Sequence, residues 1–323
     1  MGTVTSIGII GMGHVGAHVA NSLILQGIAD ELIMTDICSG EHSKQAKLDA
    51  EVQDLGDSLA FCPHNVALVN AGEDYAQLAQ CDIIVNAAGD VQRSAIDRDG
   101  ELFYTTDTAK RFIEPITNAG FQGIWVTIAN PCDVVATEIW KISGIDANRV
   151  IGTGTALDSS RLKYALSRVT GYDQHSICAY MLGEHGASMF AAWSTVNIGG
   201  KPLAQLQAEQ PERFAMALAE IEDLARQGGY KTYAGKQCTE FAVADAAARI
   251  VRAIVSNEHY ITPCSTLMTG QYGESGLFTS LPCVIGADGV EEVMHLDLTD
   301  EEIDKFHASC AHVRDNLTRV GLA

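Results

Sequence analysis

Gly11-Met12-Gly13-His14-Val15-Gly16 is a GxGxxG run set between two patterned segments. Before it stands the apolar stretch Ile7-Gly8-Ile9-Ile10. After it, His14 to Gln26 carries Val15, Val19, Ala20, Leu23 and Ile24 at helical spacing, with Gly27 as a stop. Glycines between a strand and a helix allow a tight turn and let a pyrophosphate approach the helix N-terminus. A GxGxxG without context is equally a glycine-rich turn. The strand–helix placement and Asp36, 20 residues beyond Gly16 at the end of the run Glu31 to Asp36, favour a dinucleotide site. A carboxylate there accepts ribose hydroxyls and repels a 2′-phosphate, which points to NAD rather than NADP.

Working outward, Asp82 to Ala88 and Gly123 to Ala129 are further apolar runs with helical patterns between them. Strands alternating with helices predict βαβ units and a parallel sheet. The second half opens on Gly152-Thr153-Gly154-Thr155 and a helix from about Leu157, followed by helices over Pro211 to Gln227 and Thr239 to Val255. Short runs with glycine turns from Leu267 to Asp297 suggest antiparallel strands. A polar helix from Asp300 to Val320 is capped by Thr299, with Glu302 three residues on. The expected organisation is an α/β unit over residues 1–149 with a doubly wound parallel sheet. An α+β unit with antiparallel strands follows over 150–323.

The 323 residues, 47% of them hydrophobic, suffice for two packed units. The 41 acidic against 21 basic residues leave a formal charge of −20, which disfavours nucleic acid and anionic membranes as partners. Nine cysteines, an odd number without a CxxC pair, read as reduced thiols. Together with the absence of a signal-like start and of any membrane-length apolar run, they suggest a cytoplasmic protein.

Three constellations remain. His185, within Leu182-Gly183-Glu184-His185-Gly186, is a candidate acid/base because imidazole titrates near neutrality. Asp158 and Arg161 share one helix face at i, i+3, where a plain surface ion pair is the simpler reading. Asn130-Pro131 ends an apolar run and could be a turn. His14 and His18 sit at i, i+4 without a visible third ligand, so no metal is expected.

Taken in order, the GxGxxG with Asp36, then Ala88-Gly89, Arg98, Asn130-Pro131, Gly152 to Thr155, Asp158-x-x-Arg161 and Gly183-Glu184-His185-Gly186 resemble the L-lactate and malate dehydrogenase family over essentially the whole chain. The likeness is closest to L-lactate and L-2-hydroxyisocaproate dehydrogenases. It implies a Rossmann-type cofactor half, NAD as cofactor, and a small 2-hydroxy or 2-oxo acid as substrate. A homo-oligomer, tetramer or dimer, is implied as well. Gly11, Gly13, Val15, Gly16, Asp36, Gly89 and Asn130 would bind the dinucleotide. His185 would exchange the hydroxyl proton and Asp158 would hold its imidazole. Arg161 would grip the substrate carboxylate, and Arg98 would stabilise charge on the C2 oxygen. Asn130 and Thr239 would complete the pocket. Gln92, six residues before Arg98, goes with lactate-type substrates in this family; a one-residue slip would place Arg93 there and favour a dicarboxylate such as malate. Ser94-Ala95-Ile96 departs from the usual loop and suggests room for larger apolar 2-oxo acids. Lys163 and Cys178 stand where sugar-bisphosphate-activated members carry Arg and His, which implies weak activation or none.

Overall fold

The computed structural model describes residues 4–89 and 98–323, the side chains of residues 98–100 excepted. Gln92 and Arg93 therefore lie outside the described residues, and Arg98 is placed only as the first residue of a helix. The first half alternates strands with helices. β1 (Ser6–Ile10), α1 (His14–Gln26), β2 (Glu31–Thr35), α2 (Gln45–Ser58), β3 (Ala67–Gly72) and β4 (Ile83–Asn86) lead to α3 (Arg98–Asn118). β5 (Ile124–Thr127), α4 (Cys132–Ser143), β6 (Val150–Gly152) and α5 (Ala156–Thr170) follow. These six strands are parallel and run β3-β2-β1-β4-β5-β6 across the sheet.

The order follows from burial. Parallel strands with helices on both faces must be apolar on both faces. Ile7, Ile9, Leu32, Met34, Val85 and Val126 enter one core, against α1. Their strand neighbours Ile10, Ile33, Ile84 and Trp125 enter a second core beneath α3 and α4. This period of two is why the runs read as continuously apolar in sequence.

The second half adds β7 (Ile177–Cys178), β8 (Met181–Leu182), β9 (Phe190–Ala191), β10 (Asn197–Ile198) and β11 (Lys201–Pro202). These short strands form two small antiparallel sheets, β11-β10-β7 and β8-β9. Then come α6 (Leu203–Glu209), α7 (Leu218–Lys236), α8 (Phe241–Val255), β12 (Tyr260–Thr269), β13 (Ser275–Gly286), β14 (Gly289–Val293) and α9 (Asp300–Arg319). β12, β13 and β14 are antiparallel, as expected, but they are long. They extend the large sheet instead of standing apart: β12 pairs with β6 at Ser265↔Gly152. The glycines read as separators fall within or beside continuous strands, with a register shift between Leu267 and Thr269.

The helix expected over Pro211 to Gln227 is displaced. Residues 211–214 form a turn that buries Phe214, and α7 runs from Leu218 through Gly228-Gly229 to Lys236. Two glycines in a helix interior cost helix propensity, which is why they read as an end. α8 starts at Phe241, two residues later than expected, and α9 carries the full capping box between Thr299 and Glu302.

Glu138, on α4, is fully buried, and neither carboxyl oxygen has a hydrogen-bond partner among the described residues. Lys110 Nζ is 4.0 Å away. Burial pushes its carboxyl up to about 8 against the pull of Lys110. A raised carboxylate pKa contributes stability below the unfolded-state pKa and loses it as pH rises through the folded one. Glu138→Gln is therefore expected to leave Tm unchanged near pH 4 and to raise it near pH 8; a lower Tm at the higher pH would contradict this burial reading.

Candidate active site

The switch point of a doubly wound sheet lies where the strand order reverses, here between β1 and β4. Gly11 follows β1 and Gly89 lies beyond β4, so the two flank that crevice at its carboxyl edge. Gly11 has φ +86°, and its own added Cβ would meet the Ala88 backbone at 2.8 Å. A Cβ on Gly16 would stand 2.0 Å from the Gly11 carbonyl oxygen, so the turn closes only on glycine. Above Gly13 the space is open: a Cβ there meets nothing within 4 Å. Gly13 caps α1 with no side-chain hydrogen bond, and the first turn carries no acidic residue. The helix thus presents backbone N–H groups and the positive end of its dipole to an anion. Val15 packs its side chain on the core beneath.

Asp36 is one residue past β2. Its Oδ2 accepts from Met12 N and its Oδ1 from Ile37 N, both at 2.8 Å, so the carboxylate is tied to the glycine loop. Burial raises its pKa and these two hydrogen bonds oppose the shift. A cradle that a Cβ would fill, an uncapped helix end and a fixed carboxylate fit a dinucleotide.

The second cluster sits on the same carboxyl edge. α4 begins after β5 and the cis Asn130–Pro131 bond, and Asp133 lies in its first turn. Asp133 Oδ2 accepts from His185 N at 2.9 Å and Oδ1 from Ser265 Oγ at 2.5 Å. Burial pushes the Asp133 carboxyl up to about 6, Ser265 pulling the other way. Ser309 Oγ, on α9, accepts from Glu184 N at 2.7 Å. The His185 segment is thus pinned from α4 and α9.

On the side-chain side, Asp158 Oδ2 lies 2.5 Å from His185 Nδ1, and Arg161 donates to Asp158 Oδ1 at 3.0 Å. Asp158 is buried, whereas the His185 side chain keeps 24% exposure. Burial alone would raise Asp158, but His185 and Arg161 outweigh it and hold the carboxyl below its ordinary value. For His185, burial pulls downward and the Asp158 charge and hydrogen bond prevail, so the imidazole stays protonated to higher pH than usual. With Nδ1 engaged, Nε2 is the nitrogen left for chemistry.

Arg161 also explains the glycine pair. A Cβ on Gly229 would stand 3.2 Å from its guanidinium carbon, and one on Gly228 would stand 3.7 Å from its Cδ. α7 therefore gives up helix propensity where the guanidinium lies against it. Thr239 and Asn130 occupy loops at the starts of α8 and α4. Hydrogen bonds unite His185, Asp158 and Arg161, and the backbone unites Gly11, Gly16 and Asp36. Asp133, Ser265 and the Gly228-Gly229 pair were missed in the sequence. Two glycines inside a helical period were the available signal for the last of these.

A glycine cradle at the switch point of a doubly wound sheet and a histidine polarised by a buried carboxylate define a dinucleotide-binding dehydrogenase, an oxidoreductase. Residues 5–152 match the lactate/malate dehydrogenase NAD binding domain, and residues 155–321 match the lactate/malate dehydrogenase alpha/beta C-terminal domain. The chain belongs to the lactate/malate dehydrogenase family. An L-lactate dehydrogenase of Fusobacterium nucleatum is 39% identical over 306 residues, 94% of this chain and 93% of that protein. L-lactate dehydrogenase 1 of Bifidobacterium longum is 39% identical over 309 residues, 95% of each chain. The crystal structure of the minor L-lactate dehydrogenase of Enterococcus mundtii, in its ligands-bound form, superposes with a TM-score of 0.91 at 31% identity, covering 99% of both chains. No helix among the described residues is long and apolar enough to cross a membrane.

Proposed function

We propose that this enzyme is an NAD-dependent L-2-hydroxyacid dehydrogenase of the lactate dehydrogenase type, with pyruvate or a larger apolar 2-oxo acid as substrate. The observation that carries the reading is the Asp158–His185 pair with Arg161 attached to it. Asp36 supports NAD over NADP, since its carboxylate would repel a 2′-phosphate. The division at Val150 assigns residues 1–149 to the cofactor and 150–323 to the substrate.

In this mechanism a dinucleotide held by Gly11, Gly13, Gly16 and Asp36 would supply or accept hydride at C2 of the acid. His185 Nε2 delivers the proton to the C2 oxygen in reduction and takes it in oxidation. Asp158 holds the tautomer that leaves Nε2 available and stabilises the imidazolium. Arg161 offers two parallel N–H groups to the substrate carboxylate. Arg98 is assigned to the charge on the C2 oxygen, Asn130 to a hydrogen bond with it, and Thr239 to the pocket wall. Gln92 is assigned to the substrate side chain on sequence grounds; the relatives named lactate dehydrogenase support that assignment over the dicarboxylate alternative built on Arg93. A homo-oligomer in the cytoplasm and weak activation by sugar bisphosphates complete the proposal, Cys178 being unable to supply a cation.

The pH profile tests it. Reduction needs protonated His185, so kcat/KM for the 2-oxo acid should hold past the ordinary imidazole value of about 6.5 and fall at higher pH. Oxidation of the hydroxy acid should rise over the same interval. Asp158→Asn removes the charge that raises His185, and both limbs should move to lower pH. The same pair is most stabilising between the two shifted values. The contribution of Asp158 is lost as pH falls through its lowered pKa, and that of His185 as pH rises through its raised one. Limbs that stay in place in Asp158→Asn would remove His185 from the acid/base role.

A further inference from the structure

His14 belongs to the glycine loop, and Cys238 and Glu240 flank Thr239 more than two hundred residues later; the fold brings all three together. Their donor atoms lie within 4.8 Å of one another. Two of the three separations are shorter. His14 Nδ1 is 3.2 Å from Glu240 Oε1, and Cys238 Sγ is 2.8 Å from that same oxygen. In tetrahedral zinc sites, bond lengths of about 2.0–2.3 Å put neighbouring ligand atoms roughly 3.3–3.6 Å apart. Small side-chain adjustments therefore suffice to close a three-ligand set. The His14 side chain, 68% exposed, can make the largest of them, while Cys238 is buried.

The donor chemistry is selective. One imidazole nitrogen, one thiol sulfur and one carboxylate oxygen suit Zn²⁺, whereas Mg²⁺ and Ca²⁺ take oxygen ligands. Lys236 Nζ sits 2.5 Å from Glu240 Oε2, so that oxygen is engaged and Oε1 is the one presented to an ion. Three protein ligands leave a fourth position to water.

We propose that His14, Cys238 and Glu240 form a Zn²⁺ site where the start of α1 meets the Thr239 segment, and that the ion antagonises dinucleotide binding by fixing the glycine loop to that segment. The antagonism rests on the active-site reading above; the metal site itself does not. Binding breaks the Cys238 S–H bond, forms a Zn–S bond and releases one proton to solvent. No change of oxidation state is involved. The sequence shows no third ligand for the His14/His18 pair; His18 is not part of this set, and Cys238 and Glu240 stand more than two hundred residues along the chain.

The experiment titrates the metal-free purified enzyme with Co²⁺ as a spectroscopic stand-in, without cofactor or substrate. One ion per chain should bind, with thiolate-to-cobalt charge-transfer absorption. Zn²⁺ should displace it. Cys238→Ser should abolish the band, and His14→Asn or Glu240→Gln should weaken affinity by at least the roughly 10–100-fold that outer-shell changes alone cost. Circular dichroism of each variant reports folding. Saturating Zn²⁺ should weaken NADH binding, followed by nicotinamide fluorescence, in the parent but not in Cys238→Ser. By linkage NADH should weaken the metal by the same factor. Absence of the charge-transfer band, its persistence in Cys238→Ser or unchanged affinity in the other two variants would overturn the site. Unchanged NADH affinity in the zinc-loaded parent would overturn the antagonism. Failure of the metal-free enzyme to bind NADH at all would count against the proposed function and leave the metal titration standing.

Discussion

His185→Asn is expected to lower kcat for 2-oxo acid reduction by about 10²–10⁴-fold, the usual contribution of a positioned acid or base. Asn keeps a polar group of similar reach but offers no titratable proton at the Nε2 position. The backbone contact of residue 185 with Asp133 Oδ2 survives the change, so the loop should keep its place. NADH affinity should therefore stay within a few-fold of the parent, because no described contact joins His185 to the glycine loop. Steady-state kinetics with direct fluorescence titration of NADH separates the two quantities. Turnover within tenfold of the parent would take His185 out of proton transfer.

Arg161→Gln has the second large effect. A guanidinium gripping a carboxylate makes two charge-assisted hydrogen bonds, each worth about 1.5–3 kcal/mol. At about 1.4 kcal/mol per decade, their loss lowers kcat/KM on the order of 10²–10⁴-fold. Part of the effect comes through Asp158, which loses its 3.0 Å partner. Arg161→Lys should recover only a fraction, since an ammonium cannot reproduce the planar fork. The space beside Gly228 and Gly229 is shaped for that fork, which makes Lys a poorer fit there. A kcat/KM within threefold of the parent in Arg161→Gln would place the carboxylate elsewhere.

Sequence served best where one physical constraint acts locally. The β1 turn must be glycine because Gly16 packs on the Gly11 carbonyl oxygen, and Asp36 must directly follow β2 to meet Met12 N. Both constraints leave fixed spacings. The apolar strands were readable because parallel strands are buried on both faces, and Thr299 with Glu302 marked the last helix by a reciprocal cap.

Long-range constraints leave weaker marks. Gly228-Gly229 read as a helix end because the reason for the glycines, Arg161, lies on α5. Asp133 is one acidic residue in a helix first turn, an ordinary thing in sequence. Its role exists only because β5 and the His185 segment converge. The lengths of β12 and β13 are hidden in sequence because the glycines between and within them look like turns. His14 illustrates the same limit: its neighbours Cys238 and Glu240 are set by tertiary packing, not spacing.

Substrate choice is read in one assay. NADH oxidation is followed at equal concentrations of pyruvate, 2-oxoisocaproate and oxaloacetate, with NADPH as a cofactor control. Pyruvate or 2-oxoisocaproate should give the highest kcat/KM, with little rate from NADPH because the Asp36 carboxylate would repel a 2′-phosphate. The ratio between these two reads the size of the side-chain pocket, since each methylene in an apolar pocket is worth about 1–3 kcal/mol and their side chains differ by three carbons. Highest kcat/KM on oxaloacetate would contradict the monocarboxylate reading and shift the assignment from Gln92 to Arg93.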